Sequence, residues 1–251
     1  MEMTVKDYPL LKTGGIQFLS PLADGWYRGM DYTDGDLYEA EELYRDGHPI
    51  RSNRLVFVHF PEGKIYEPMK AAEGQYFGLP VMLKGKIYLL RVDFAQEEIK
   101  AFCWIPEAEK AQKANTGGEE VPFSEISGPA APPSDKNEAE RAKPLSEIFC
   151  LPLAAVKDCY NLHLTAAPLC LTRQGHENDF QLIWPERGSF PIAPSESLDS
   201  RDGDVLLFSQ WFEDPAYREE TVVRRIPDGK ILERLPGSLF TDPEGRRWVL
   251  K

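Results

Sequence analysis

Val56–Met69 reads VFVHFPEGKIYEPM and Val222–Leu235 reads VVRRIPDGKILERL. The two stretches align without a gap and share Val, Pro, Gly, Lys, Ile and Glu at matching positions. Each alternates β-branched or aromatic residues with polar ones, as a half-buried pleated strand requires. Each then places a proline, an acidic residue and a glycine before the next strand. Proline presets φ, and glycine supplies the positive φ that a tight hairpin turn needs. Both stretches therefore predict strand, turn, strand.

The likeness runs further. Residues 78–90, GLPVMLKGKIYLL, parallel residues 237–250, GSLFTDPEGRRWVL, with Gly85 and Gly245 in the turns. Gly25, Gly35 and Gly203 repeat the acidic-Gly-strand pattern. A lone hairpin cannot bury its apolar face, so repeated hairpins must stack, close into a barrel or pack as two sheets. In general form GLPVMLKGKIYLLRVDF resembles the inner and second strands of a propeller blade. The expectation is an all-β, propeller-like array of four-stranded antiparallel sheets, about four to five blades. A β-sandwich or an irregular barrel is the alternative.

Strands are expected near 15–20, 26–32, 54–60, 64–69, 77–83, 86–94, 98–105, 147–153, 160–172, 179–184, 204–212, 220–226, 230–235 and 246–250, with more hidden between Phe190 and Leu198. Strand 246–250 would close a ring beside N-terminal strands. The one helix candidate, Asp36–Arg45, is short and acidic, with Gly47 as its stop. Residues 107–144 are rich in Glu, Ala, Ser, Gly and Pro and offer only Val121, Phe123 and Ile126 as sizeable apolar residues. They read as a flexible loop interrupting a single domain of residues 1–251, or alternatively as a linker between 1–106 and 145–251.

Composition narrows the function classes. Of 251 residues, 42% are hydrophobic, enough for a sizeable core. Lys and Arg number 29 against 41 Asp and Glu, a net charge of -12 that opposes nucleic-acid binding. No apolar run is long enough to span a bilayer and no secretory leader is visible, so the expected setting is cytoplasmic and away from membranes. Cys103, Cys150, Cys159 and Cys170 form no C-x-x-C pair and read as buried, reduced thiols. His48, His59, His163 and His176 lack metal-ligand spacing. The acidic run from Asp31 to Asp46 and the cluster Asp199, Asp202, Asp204 fail the calcium-loop pattern and read as solvated charge. Nucleotide, nucleophile-elbow and phosphate-loop motifs are absent, so no cofactor and no metal is expected.

Three expected strand exits carry tryptophan just before a carboxylate: Trp104 with Glu107, Trp184 with Glu186, and Trp211 with Glu213. On one face of a ring they would offer aromatic platforms with hydrogen-bond acceptors, suited to a sugar or a cationic ligand, and the expected partner is a protein or a small polar or glycan ligand. Trp104, Trp184, Glu186, Trp211 and Glu213 are thus the candidate ligand-binding residues of a non-enzymatic binding or interaction module. The competing reading is a carbohydrate-active hydrolase, with two of Glu186, Glu196, Asp202 and Glu213 converging as acid and partner. Arg224, Arg225, Arg234, Arg246 and Arg247 are interleaved with Glu219, Glu220, Glu233 and Glu244, which predicts cross-strand ion pairs.

Overall fold

A computed structural model describes residues 10–50, 53–106, 144–166, 168–241 and 246–250. The chain forms successive antiparallel sheets, all but the second a simple meander in sequence order. The first holds β1 (Ser20–Pro21), β2 (Trp26–Met30), β3 (Leu55–His59) and β4 (Lys64–Tyr66), with helix α1 (Leu37–Arg45) inserted between β2 and β3. In the second, β5 (Gln75–Phe77) and β6 (Val81–Leu83) both pair with β7 (Lys86–Asp93), followed by β8 (Glu98–Trp104) and β9 (Leu145–Pro152). The third comprises β10 (Leu162–Thr165), β11 (Cys170–Gln174), β12 (Asp179–Trp184) and β13 (Gly188–Pro191). The fourth comprises β14 (Glu196–Asp202), β15 (Val205–Phe212), β16 (Arg218–Arg225) and β17 (Ile231–Pro236). A hairpin of β18 (Ser238–Thr241) and β19 (Arg247–Leu250) completes the described chain.

Three apolar clusters join the sheets in order. Trp26, Phe57, Phe77, Leu89 and Trp104 lie between the first and second sheets. Val92, Ile99, Phe149, Leu164 and Ile183 lie between the second and third, with Leu37 and Ala40 of α1 added from the side. Phe180, Phe190, Phe208 and Val222 lie between the third and fourth. Each interior sheet therefore buries both faces, which is why β7 reads KIYLLRVD, apolar on both sides, rather than strictly alternating.

The two quoted hairpins occupy the same place in their sheets: β3 to β4, and β16 to β17, the third strand turning into the fourth. Their turns agree in detail. Gly63 N–H donates to His59 O at 2.8 Å, and Gly229 N–H to Arg225 O at 2.9 Å; the glycine φ angles are 63° and 67°. His59 contacts Glu62 and Arg225 pairs with Asp228, again the same offset. In the fourth sheet glycine is needed twice over. A Cβ on Gly229 would lie 2.1 Å from the Phe190 ring, because the turn packs onto β13 of the neighbouring sheet. The connection β12 to β13, WPERG, is a third version of the Pro-acidic-Gly turn with one residue added.

Several expected strands are redrawn. The single strand at 77–83 is two short ones, and 160–172 is the hairpin β10–β11, whose turn has no glycine to mark it. At 15–20 only Ser20 begins a strand; β13 and β14 overlap the stretch Phe190–Leu198 where further strands were expected, and β18 is additional. The Asp199–Asp204 cluster is mostly strand: β14 carries a bulge between Leu198 and Ser200, which lets a polar stretch pair with β15. Among the described residues β19 pairs with β18 and with no N-terminal strand, which corrects the expected closure at 246–250. Cys150 is exposed, against the expectation of four buried thiols. Of the expected flexible loop, 107–144, all but Pro144 lies outside the described residues; around it Trp104 stands opposite Leu145 and Ile105 N–H donates to Pro144 O at 2.7 Å.

Candidate functional site

The expected platform residues fall into three separate neighbourhoods. Trp104 ends β8 fully buried, its ring in contact with those of Trp26, Phe57 and Tyr66. It is a core side chain with no face for a ligand. Glu107 lies outside the described residues. Trp184 ends β12 and packs on Phe149 between the second and third sheets. Trp211 lies near the end of β15, a second strand, whereas β8 and β12 are third strands; neighbouring strands run antiparallel, so Trp211 leaves its sheet at the opposite end. It is 45% exposed, and Glu213 beyond it is exposed too.

Three of the four candidate carboxylates have an arginine of their own. Glu186 sits in the β12–β13 turn and takes both guanidinium nitrogens of Arg201 at 2.9 and 3.0 Å, tying the third sheet to the fourth. Those hydrogen bonds hold Glu186 below the usual carboxylate range, against a smaller opposing effect of burial. Glu196 is buried and bidentate with Arg224 at 2.5 and 2.7 Å. Asp202 meets Arg247 at 2.7 Å. A glycosidase acid needs a raised pKa and a carboxylate partner. Glu186, Glu196 and Asp202 have arginine partners instead, and Glu213 is exposed. Of the expected C-terminal ion pairs, Arg234 finds Glu220, while Arg224, Arg225 and Arg247 find Glu196, Asp228 and Asp202.

Arg173 of β11 follows the same rule in the third sheet. It is buried and holds Asp158 through Nε and Nη2 at 2.8 and 2.6 Å and Asp179 through Nη1 at 2.7 Å. Burial alone would raise the Asp158 pKa, but the hydrogen bonds from Arg173 and from the Tyr160 N–H carry it below the ordinary 3.8. A depressed folded-state pKa contributes stability that is present above the unfolded value and lost as pH falls through the folded one. Urea midpoints measured from about pH 5 down to pH 2 should therefore fall less steeply for Asp158→Asn than for the wild type. Parallel curves would show that Asp158 is not ionised by this pair.

Of the exposed large apolar residues in the described chain, Leu10, Phe18, Tyr32 and Phe60 lie toward the N-terminus and the other seven lie between Trp211 and Leu250. The outer face of the fourth sheet is covered by the β18–β19 hairpin: Thr221 Oγ1 donates to Gly237 O at 3.0 Å, Ser238 bonds Glu219, and Arg247 donates to Arg201 O at 2.8 Å. In the hairpin Leu239 stands opposite Val249 on one side, and Phe240 opposite Trp248 on the other. The second side faces outward: Phe240 is 47%, Trp248 52% and Leu250 57% exposed. Ile231 and Leu232 of the edge strand β17, with Trp211 and Tyr217, add to the exposed large apolar residues of this region. Among the described residues no cluster of three or more His, Cys, Asp or Glu side chains could hold a metal ion. No helix of the described chain is long and apolar enough to cross a membrane. Sequence reading found Trp211 here but missed Phe240, Trp248 and Leu250. Their i, i+2 spacing in 248–250 was the available signal.

Compared with known proteins, the chain matches no family model, and no curated protein sequence is detectably similar to it.

Proposed function

We propose that this chain is a non-catalytic interaction module. Its sheets act as successive blades of a propeller-like array within one domain, and the outward face of β18–β19 with the adjoining β17 edge is its docking surface for a protein partner. The observation that carries this is the grouping of Phe240, Trp248 and Leu250 on one side of a two-stranded ribbon. Contiguous exposed apolar side chains on a soluble domain mark a surface that is covered in use. A protein is the partner read here because Phe240, Trp248 and Leu250 stand together as an apolar group on one side of the ribbon.

In-order stacking of four antiparallel sheets supports the blade arrangement, and the direct β8–β9 pairing supports a single domain with 107–144 as a hairpin insertion. A reducing, cytoplasmic setting suits Cys103, Cys150, Cys159 and Cys170, all free thiols. The hydrolase reading is not advanced, since Glu186, Glu196 and Asp202 are each engaged by an arginine.

The test is quantitative affinity capture with wild-type protein and the double variant Phe240→Ser, Trp248→Ser. Both positions are half exposed, so the variant should stay folded. A specific partner should be recovered at least about 30-fold less well on the variant, the loss expected when a central aromatic anchor is removed. Equal recovery of every captured protein would refute the assigned surface.

A further inference from the structure

A cleft of about 310 Å³ lies where the outer strands of the third sheet, β12 and β13, face Ala155, just beyond β9. That volume is at the lower end of small-molecule sites. Both walls are held in place. Gln181 of β12 donates through Nε2 to Ala155 O at 3.0 Å, which ties the third sheet to the opposite wall. The β12–β13 connection is held twice. Arg201 grips Glu186, and Gly188 packs so closely on the fourth sheet that a Cβ there would run into Pro227 O.

The lining carries a single charge, that of Arg187, and no carboxylate. Arginines of this acidic chain are mostly spoken for: Arg173, Arg201, Arg224, Arg225 and Arg234 of the third and fourth sheets each hold a carboxylate. Among the described residues Arg187 holds none, because its neighbour Glu186 has both oxygens turned to Arg201. Ser189 adds two donors. β13 is the edge of its sheet, and in an antiparallel pair only alternate residues exchange backbone hydrogen bonds. Ile192 N–H donates to Asn178 O, so by the register Phe190 and Gly188 also turn toward β12, and the Ser189 N–H points away from it, out of the edge. The Ser189 side chain shares a face with that of Gln181, its partner across the pair, and so lies on the Ala155 side. A guanidinium fork, a hydroxyl and an outward amide with no acid among them match an oxyanion, not a cation.

We infer that this cleft binds a small oxyanion, the carboxylate or phosphate head of a compact ligand, paired with the Arg187 guanidinium and hydrogen-bonded by Ser189 through its hydroxyl and its N–H. The site lies on the third sheet, goes beyond the interaction-module reading and stands or falls independently of the C-terminal docking surface.

The test is amide NMR of the isotope-labelled full chain, titrated with inorganic phosphate and separately with acetate, each replacing chloride at constant ionic strength. The Ser189 amide resonance should shift saturably with at least one of them. Phosphate alone would identify a phosphate head, acetate alone a carboxylate. Arg187→Gln removes an exposed charge while leaving the Glu186–Arg201 pair in place, and should weaken binding at least about tenfold, the worth of one charge-assisted hydrogen bond. Ser189→Ala should weaken it about threefold, as loss of a neutral bond does. Arg218→Gln, at an exposed arginine of the fourth sheet outside the lining, should bind as the wild type does. Thermal midpoints check that the variants are folded. No shift at Ser189 with either anion, unchanged affinity in folded Arg187→Gln, or an equal loss in Arg218→Gln would each overturn the proposal.

Discussion

Replacing Glu196 by glutamine is expected to destabilise the protein by about 3–5 kcal/mol, the range found when one partner of a buried ion pair is removed. Glu196 opens β14 almost wholly buried, and Arg224 on β16 is nearly as enclosed. Beyond the two charge-assisted bonds between them, Glu196 Oε2 accepts from Ala193 N–H at 2.9 Å and Arg224 Nη1 donates to Gly229 O at 2.8 Å. The guanidinium also lies over the rings of Phe190 and Phe208, 5.6 and 5.7 Å from their centroids. The pair thus links the first strand of the fourth sheet, its third strand, the Pro-Asp-Gly turn and the cluster shared with the third sheet. Glutamine keeps the shape of glutamate but turns a neutral amide toward a guanidinium that has no water to replace the lost charge.

The cost of that substitution comes from the stranded arginine, not from any net strength of the ion pair. Desolvating two charges consumes most of their attraction, so a double replacement by apolar residues of similar volume is often tolerated. Urea denaturation should therefore rank Glu196→Gln and Arg224→Met below the double variant Glu196→Leu, Arg224→Met. A double variant less stable than both singles would mean that the bonds to Ala193 and Gly229, rather than the uncompensated charge, dominate.

The hairpins at 56–69 and 222–235 were legible in the sequence because their order is local: alternation sets the strands, and Pro-acidic-Gly sets the turn. Similar logic placed α1, where Asp36 as cap and Gly47 beyond the end bracket a short amphipathic run. What escaped were features whose cause is elsewhere in the chain. β14 reads as turn-like, ESLDSRD, yet pairs because Arg201 and Glu196 find partners on the third sheet's turn and on β16. The β10–β11 turn lacks the glycine that marked the others. The tryptophan-carboxylate motif misled for a related reason. Trp104, Trp184 and Trp211 look alike in sequence, but whether a strand-end ring is covered depends on the neighbouring sheet. The first two have a sheet packed over them, while Trp211 stands at the margin of a small hairpin.

Trp104→Ala should cost about 3–5 kcal/mol, as large-to-small replacements of buried aromatics do. The argument is one of shared surface. Trp104 closes β8 opposite Leu145, but most of its ring contacts are made across the gap to the first sheet, with Trp26 of β2 at 5.5 Å, Phe57 of β3 at 5.1 Å and Tyr66 of β4 at 5.5 Å. Three strands of one sheet are thereby fastened to the second through a single side chain, and backbone hydrogen bonds within either sheet cannot refill the void. Trp211→Ala removes a ring of the same size, yet one already half in water, and should change stability by no more than about 0.5–1 kcal/mol. Urea unfolding of the two variants under identical conditions, followed by circular dichroism, separates core from surface directly. If Trp104→Ala lost no more stability than Trp211→Ala, the packing of the first sheet on the second would not depend on this ring. Trp104 would then have to be reconsidered as the ligand platform that its sequence context suggests.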